Sequence, residues 1–345
     1  MSNEVNGSIA KHNIKDVVKK YGIVFVLLLL IIAISILRPQ FLTKTNILNV
    51  LEQSAIFGIM SLGLTLVITS KGIDLSVGSV LALSGVVAAS LGQSVAAADK
   101  FFPGLGELPV IIPIIVAMVI GAFIGALNGG LIAFTGIPAF IATLGTMTIA
   151  RGLALYYTSG KPISTLTNSF NILGSTVSKV PVIGNIPFIR DLPIPVVFFF
   201  LAIVVTWILL NNTRFGKNVY AIGGNIKAAE VSGINVKKNL VMIYAFSGML
   251  AGVAAIVFAG RVGSMHPGAA TGYESTAIAA TTIGGTSHSG GIGTVWGAVV
   301  GALVLAVLRN GLTLLGVHAY LQQIIEGVII VVAVVVDMRK NARKK

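Results

Sequence analysis

Long apolar runs separated by short polar stretches set the pattern of this chain. A helix needs about 20 predominantly apolar residues to cross the hydrocarbon core of a bilayer. Ten segments approach or meet that length: 21–37, 47–70, 75–92, 109–134, 138–158, 193–212, 240–262, 270–286, 292–315 and 318–336. Two of them, 75–92 and 270–286, are short and rich in Gly, Ser and Thr. The pattern predicts an all-α integral membrane protein of about ten transmembrane helices. It divides the chain into a polar N-terminal segment 1–20, a membrane domain 21–336 and a basic tail 337–345, with a long polar connection at 213–239.

The first run reads as a retained span. Lys11, Lys15, Lys19 and Lys20 precede it, and Arg38-Pro39-Gln40 follows it where a cleaved leader would end in small residues. Composition agrees with the pattern. Charged residues are 10% of the chain, against about 25% in soluble domains, and the mean hydropathy is +0.94.

The net charge of +13 is distributed as membrane topology requires. With ten spans, fifteen Lys and Arg residues fall on one side: four before the first span, Lys71, five in 213–239 and five in the tail. Seven fall on the other side, spread over longer loops. Cytoplasmic loops carry the basic excess, so both termini and 213–239 are expected in the cytoplasm of a plasma (inner) membrane protein. Nucleic-acid binding is not expected, because no soluble module remains to present a groove.

Catalytic and metal patterns are missing from the sequence. There is no cysteine, and His12, His266, His288 and His318 have no paired ligand spacing. No P-loop is present, so ATP would have to be handled by another subunit. No catalytic residue, cofactor or metal is expected.

Polar residues at membrane depth are few: Glu52, Gln53, Asp74, Asn128, Arg151, Glu274, Arg309, Asn310, Gln322, Gln323 and Glu326. Each should face protein or a water-filled path. One reading is a polar route for a neutral solute, with Gln53, Asn128, Glu274 and Gln322 as its first candidates. The plainer reading is hydrogen bonding between helices. Asp74 is expected to cap the third span.

GAFIGAL (121–127) in the fourth span echoes GAVVGAL (297–303) in the ninth. Spans five apart run in opposite directions, so an inverted five-plus-five repeat would give this echo. Reuse of a Gly-xxx-Gly packing face would give it too. Either way, Gly121, Gly125, Gly297 and Gly301 are expected to let helices approach closely.

The 213–239 connection contains a candidate short helix. Asn225 can cap it, Lys227, Ala228, Ala229, Glu230 and Val231 can form it, and Gly233 can end it in a left-handed conformation. A helix this short is unstable alone. It needs a surface to dock on, either this chain's own helices or a cytoplasmic protein.

The motifs GIDLSVGS (72–79), TGIPAFIATLGTM (135–147), FGKNVYAIGGN (215–225), KAAEVSGINV (227–236), GYESTAIAATTIGG (272–285) and GGIGTVWG (290–297) resemble, in this order, those of monosaccharide ABC-importer permeases. The 93–108 and 159–192 loops and the RKK ending are most similar to the galactose/methyl-galactoside type, with ribose and xylose types as relatives. The resemblance implies a homodimer with an ATPase subunit on its cytoplasmic side and a sugar-binding protein outside. It also implies that Ala228, Ala229, Glu230 and Gly233 form the helix that couples to the ATPase. Two departures bear on the solute path. Ser275-Thr276 stands where the family often has Leu-Asp, and Leu321 stands where an aromatic often precedes Gln322.

Rival functions are a stand-alone secondary sugar transporter, an ABC permease for a nucleoside or signalling sugar, and an intramembrane enzyme. The first leaves the coupling helix without a purpose. The last should show a nucleophile paired with a base, and the sequence has none.

Overall fold

The computed structural model describes residues 22–180, 186 and 189–342. The segment 1–20 and the last three basic residues of the tail lie outside them. Its main helices are α1 (Gly22–Leu37), α2 (Lys44–Thr69), α3 (Val77–Leu91), α4 (Ile111–Gly130), α5 (Ala139–Thr158), α6 (Ile194–Asn212), α7 (Arg214–Gly224), α8 (Ile226–Val231), α9 (Val236–Val262), α10 (Tyr273–Ile283), α11 (Val295–Leu314) and α12 (Ala319–Ala342). Every expected span contains a helix. Seven helices are long and apolar enough to cross a membrane: α2, α4 with its π-helical extension Leu131–Thr135, α5, α6, α9, α11 and α12. α1 and α3 are shorter apolar helices. α10 has 11 residues and rises only about 16 Å, half the hydrocarbon thickness. Its Gly-Thr-rich flanks end it at Gly272 and Gly284.

α2 and α9 form the centre. Both are apolar on all sides, as buried helices must be, and residues 54–69 of α2 are all buried. On α2, Ser61 Oγ donates to Phe57 O, and Thr65 Oγ1 to Ser61 O. α4 shows the outer arrangement. Ile115, Val119, Phe123 and Leu127 form an exposed apolar stripe at four-residue spacing, while Ala117, Gly121 and Gly125 are buried. That stripe suits lipid contact. α12 is exposed along most of its length, with Ile324, Val328, Val331 and Val335 outward.

The glycines carry the closest helix contacts. A Cβ on Gly121 would run into the carbonyl of Gly248, and one on Gly125 into that of Tyr244, both on α9. On α11, a Cβ on Gly297 would meet Gly284 O, and one on Gly301 would meet Ala280 O. All four glycines are thus used inside one chain.

Elements five spans apart correspond. α2 and α9 have 26 and 27 residues, α4 and α11 have 20 each, and short α3 matches short α10. α3 packs on α4 and α5, just as α10 packs on α11 and α12. The heptapeptide echo does not follow this correspondence. It begins at the eleventh residue of α4 but at the third of α11, and the two copies pack on different partners. The shared heptapeptide is a reused Gly-xxx-Gly face, and the matching order of elements is a separate feature.

Candidate functional site

Two regions at opposite ends of the bundle carry the polar chemistry. One end holds the long loops, tied together by Lys44 Nζ on Asp191 Oδ2 at 2.5 Å and by paired backbone bonds between Ile163 and Met265. The other holds 213–235 and the glycine-rich 284–294 segment.

At the second end, local sequence builds α8 as expected. Asn225 Oδ1 accepts from Ala228 N at 3.1 Å. Gly233 has φ +82°, the left-handed exit. The helix docks on its own chain through one face only. Ala229 is 3% exposed, against Ile222 and Val236. Ala229 was expected to meet a partner together with Glu230 and Gly233; its burial against α7 and α9 removes it from any outer face. Ala228, Glu230 and Gly233 remain exposed, and Val231 is 91% exposed.

α7 links this helix to the rest of the bundle. A Cβ on Gly223 would strike Thr69 O at the end of α2. Gly291 N donates to the same Thr69 O at 2.8 Å, and Tyr220 Oη donates to Gly293 O at 2.8 Å. The glycine-rich segment then reaches α12, where His288 N donates to Asp337 Oδ2 at 3.1 Å. A shift of α7 therefore bears directly on the ends of α2 and α12.

Several membrane-depth polar residues find partners within the chain. Arg261 Nε lies 3.3 Å from Glu52 Oε2. Asn46 and Asn310 exchange side-chain hydrogen bonds at 2.9 and 2.8 Å. Arg151 Nη1 donates to Pro267 O and Ala269 O, both at 2.7 Å, and so holds the turn that leads into α10. Asp74 does not cap α3 directly. Its Oδ1 accepts from Ser76 N at 2.9 Å and Ser76 Oγ at 2.6 Å, an Asx turn just before the helix.

The four path candidates separate. Asn128 is fully buried, donating through Nδ2 to Ser76 Oγ at 2.9 Å. It extends the Asp74–Ser76 chain and ties α4 to the start of α3. Asn128→Leu would break this chain and cost about 1–3 kcal/mol. The expected result is a lower yield of folded protein in detergent, with unchanged sugar half-saturation in what survives. Glu274 turns toward α3, its Oε1 accepting from Gly272 N at 3.1 Å. Gln53 is half-buried on α2. Gln322 borders a polar hollow.

That hollow has a volume of about 620 Å³ and lies between α10, α11 and α12 near the long-loop end. Its lining includes Tyr273, Thr276, Arg309, Gln322, Gln323 and Glu326. Arg309 binds Glu326 twofold, through Nε to Oε1 and through Nη2 to Oε2 at 2.5 Å. Nη2 also donates to Thr276 Oγ1 at 2.8 Å. The guanidinium lies over the Phe57 ring, 4.6 Å from its centroid, and Phe57 in turn packs on Tyr273 at 4.6 Å. Thr276, one of the two departures from the family pattern, thus sits against the charged pair. A second hollow of about 610 Å³, beside α6, is lined almost wholly by aliphatic and aromatic side chains. It offers hydroxyl groups nothing.

The family model described as the permease component of branched-chain amino acid transport systems matches residues 46–334. The ribose import permease protein of Bacillus subtilis is 44% identical over 326 residues, covering 94% of this chain and 95% of its own length. The chain belongs to the monosaccharide ABC-importer permease family. The galactose/methyl galactoside import permease of Salmonella typhimurium is 42% identical over 330 residues, covering 94% and 96%. The ribose import permease of Escherichia coli K12 is 41% identical over 316 residues, covering 91% and 92%. No solved structure matches. Ribose and galactose relatives match equally well, so the galactose-type features of the loops do not decide between the two sugars.

Proposed function

We propose that this permease imports a monosaccharide, ribose or galactose/methyl galactoside, as the membrane subunit of a binding-protein-dependent ABC importer. Two copies form the membrane core. An extracytoplasmic binding protein delivers sugar at the long-loop end. An ATPase subunit docks on the exposed face of α8, and its nucleotide cycle moves the bundle through α7. The permease itself performs no covalent chemistry. Both termini and 213–239 face the cytoplasm of the plasma membrane, as the Lys and Arg distribution argues.

The observation that carries this reading is α8. It is six residues long, capped by Asn225 and closed by Gly233, and buried on one side only. Its open face, including Glu230 and Val231, gives a partner something to hold. A stand-alone transporter would have no use for it.

The test is made in bacteria lacking their own ribose and galactose permeases. Expressed with its ATPase and binding protein, the chain should restore uptake of one or both sugars. A single cysteine at Lys227 in this cysteine-free chain should stay unlabelled by an impermeant thiol reagent in the same cells. Labelling at Lys227 would reverse the orientation, and no uptake of any monosaccharide would reject the function.

A further inference from the structure

The hollow between α10, α11 and α12 combines three features that other parts of the described structure lack together. The first is volume. About 620 Å³ falls within the range of small-molecule sites. The second is a charge pair at membrane depth that is internally balanced. An intramembrane ion pair marks a functional path by default. The third is unused hydrogen-bonding capacity. Arg has five N–H donors, and Arg309 spends only Nε and Nη2 on Glu326 and Thr276. Its Nη1 group makes no hydrogen bond with the described residues. The Glu326 carboxylate likewise has lone pairs beyond the two that Arg309 takes.

We infer that this hollow is a sugar-contact site on the translocation path, with Arg309 and Glu326 as a neutral fork that meets ring hydroxyls, Gln322 and Gln323 as amide partners, and Tyr273 as an apolar wall. The inference rests on the importer reading above.

The chemistry selects the ligand class. A hydroxyl both donates and accepts, so one ring hydroxyl can accept a hydrogen bond from Arg309 Nη1 while another donates one to Glu326. A neutral ligand leaves the pair intact. An anion would compete with Glu326 for Arg309, and a cation would compete with Arg309 for Glu326. Either would leave one buried charge without its partner, which is costly in a low-dielectric site. The Tyr273 ring, braced from behind by the tilted Phe57 ring, gives the C–H face of a sugar ring something apolar to rest on. Gln323 is exposed on the hollow's rim. Gln322 is already steadied by donating to Val317 O at 2.9 Å and to Thr313 Oγ1 at 3.3 Å, and its carbonyl oxygen accepts from none of the described residues.

The experiment uses the complete transporter, permease with ATPase and binding protein, in proteoliposomes. Arg309 and Glu326 support the fold, so the reporter is placed at Gln323. The chain has no cysteine, and Gln323→Cys gives one thiol at the hollow's rim. Ribose or galactose, delivered by its loaded binding protein, should slow alkylation of that thiol, because a bound sugar covers it. A control, Val95→Cys in an exposed loop, should be unaffected. Gln323→Leu should raise the sugar concentration for half-maximal uptake about fivefold, the loss of one hydrogen bond. Equal alkylation with and without sugar would overturn the inference, as would a thiol blocked in both conditions by a second copy of the chain. If the parent complex shows no binding-protein-dependent uptake at all, the importer reading fails instead, and the two failures are distinct.

Discussion

A permease carrying both Glu230→Arg and Gly233→Val should insert and fold normally but lose sugar-stimulated ATP hydrolysis at least about tenfold. Two independent effects combine. Gly233 has φ +82°, and a β-branched residue in that region costs about 1–2 kcal/mol. A Cβ there meets nothing within 4 Å, so the strain falls on the backbone exit of α8 and does not spread by collision. The helix is too short to hold its shape against that strain. Its anchors are the Asn225 cap and Ala229 against Ile222 and Val236. Glu230 is the only acidic residue in 213–239, among Arg214, Lys217, Lys227, Lys237 and Lys238. Reversing it removes the one group able to attract a basic partner side chain. Sugar-independent ATPase should persist. Full stimulation by loaded binding protein in the double variant would refute the coupling role of α8.

Gly125→Leu should abolish recovery of folded protein from detergent, an effect larger than any path substitution. Overpacking a core typically costs about 1–3 kcal/mol when side chains can shift. Here nothing soft yields. The first added carbon already meets the backbone of Tyr244, and neighbouring Gly121 and Gly129 are held as closely against α9. Leu would have to separate α4 from α9 along the whole seam. Gly301→Leu should do the same between α11 and α10, where Ala280 O blocks the space. Gly145→Leu, with nothing within 4 Å of its Cβ, is the matched control and should express as the parent does. A folded, monodisperse Gly125→Leu protein would contradict the packing account.

Local signals were legible in the sequence. Apolar run length located a helix in each expected segment, seven of them long and apolar enough to cross a membrane, and Asn225 with Gly233 located α8, because capping and left-handed exits depend on a few adjacent residues. What the sequence left open required knowing which helix faces which. Ala229 reads like Ala228 in the chain, yet one is buried and the other exposed. Asn128 reads as a path amide, yet its partner is Ser76, 52 residues away. Arg309 and Glu326 both stand out as membrane-depth charges. Their pairing follows from the turn between α11 and α12, and their placement over Phe57 follows from a helix more than 250 positions earlier. No periodicity reports such contacts. The short α10 shows another limit. Its segment is apolar enough to suggest a span, but Gly272 and Gly284 end the helix at 11 residues.

The central claim is that transport depends on ATP hydrolysis in a partner and on a loaded binding protein outside. The direct measurement is uptake of labelled ribose and galactose into proteoliposomes containing the permease and its ATPase, with ATP enclosed and binding protein added outside. The account predicts concentrative uptake of at least one sugar, abolished by omitting either ATP or the binding protein, and indifferent to an imposed proton or sodium gradient. Uptake by the permease alone, driven by such a gradient, would contradict it.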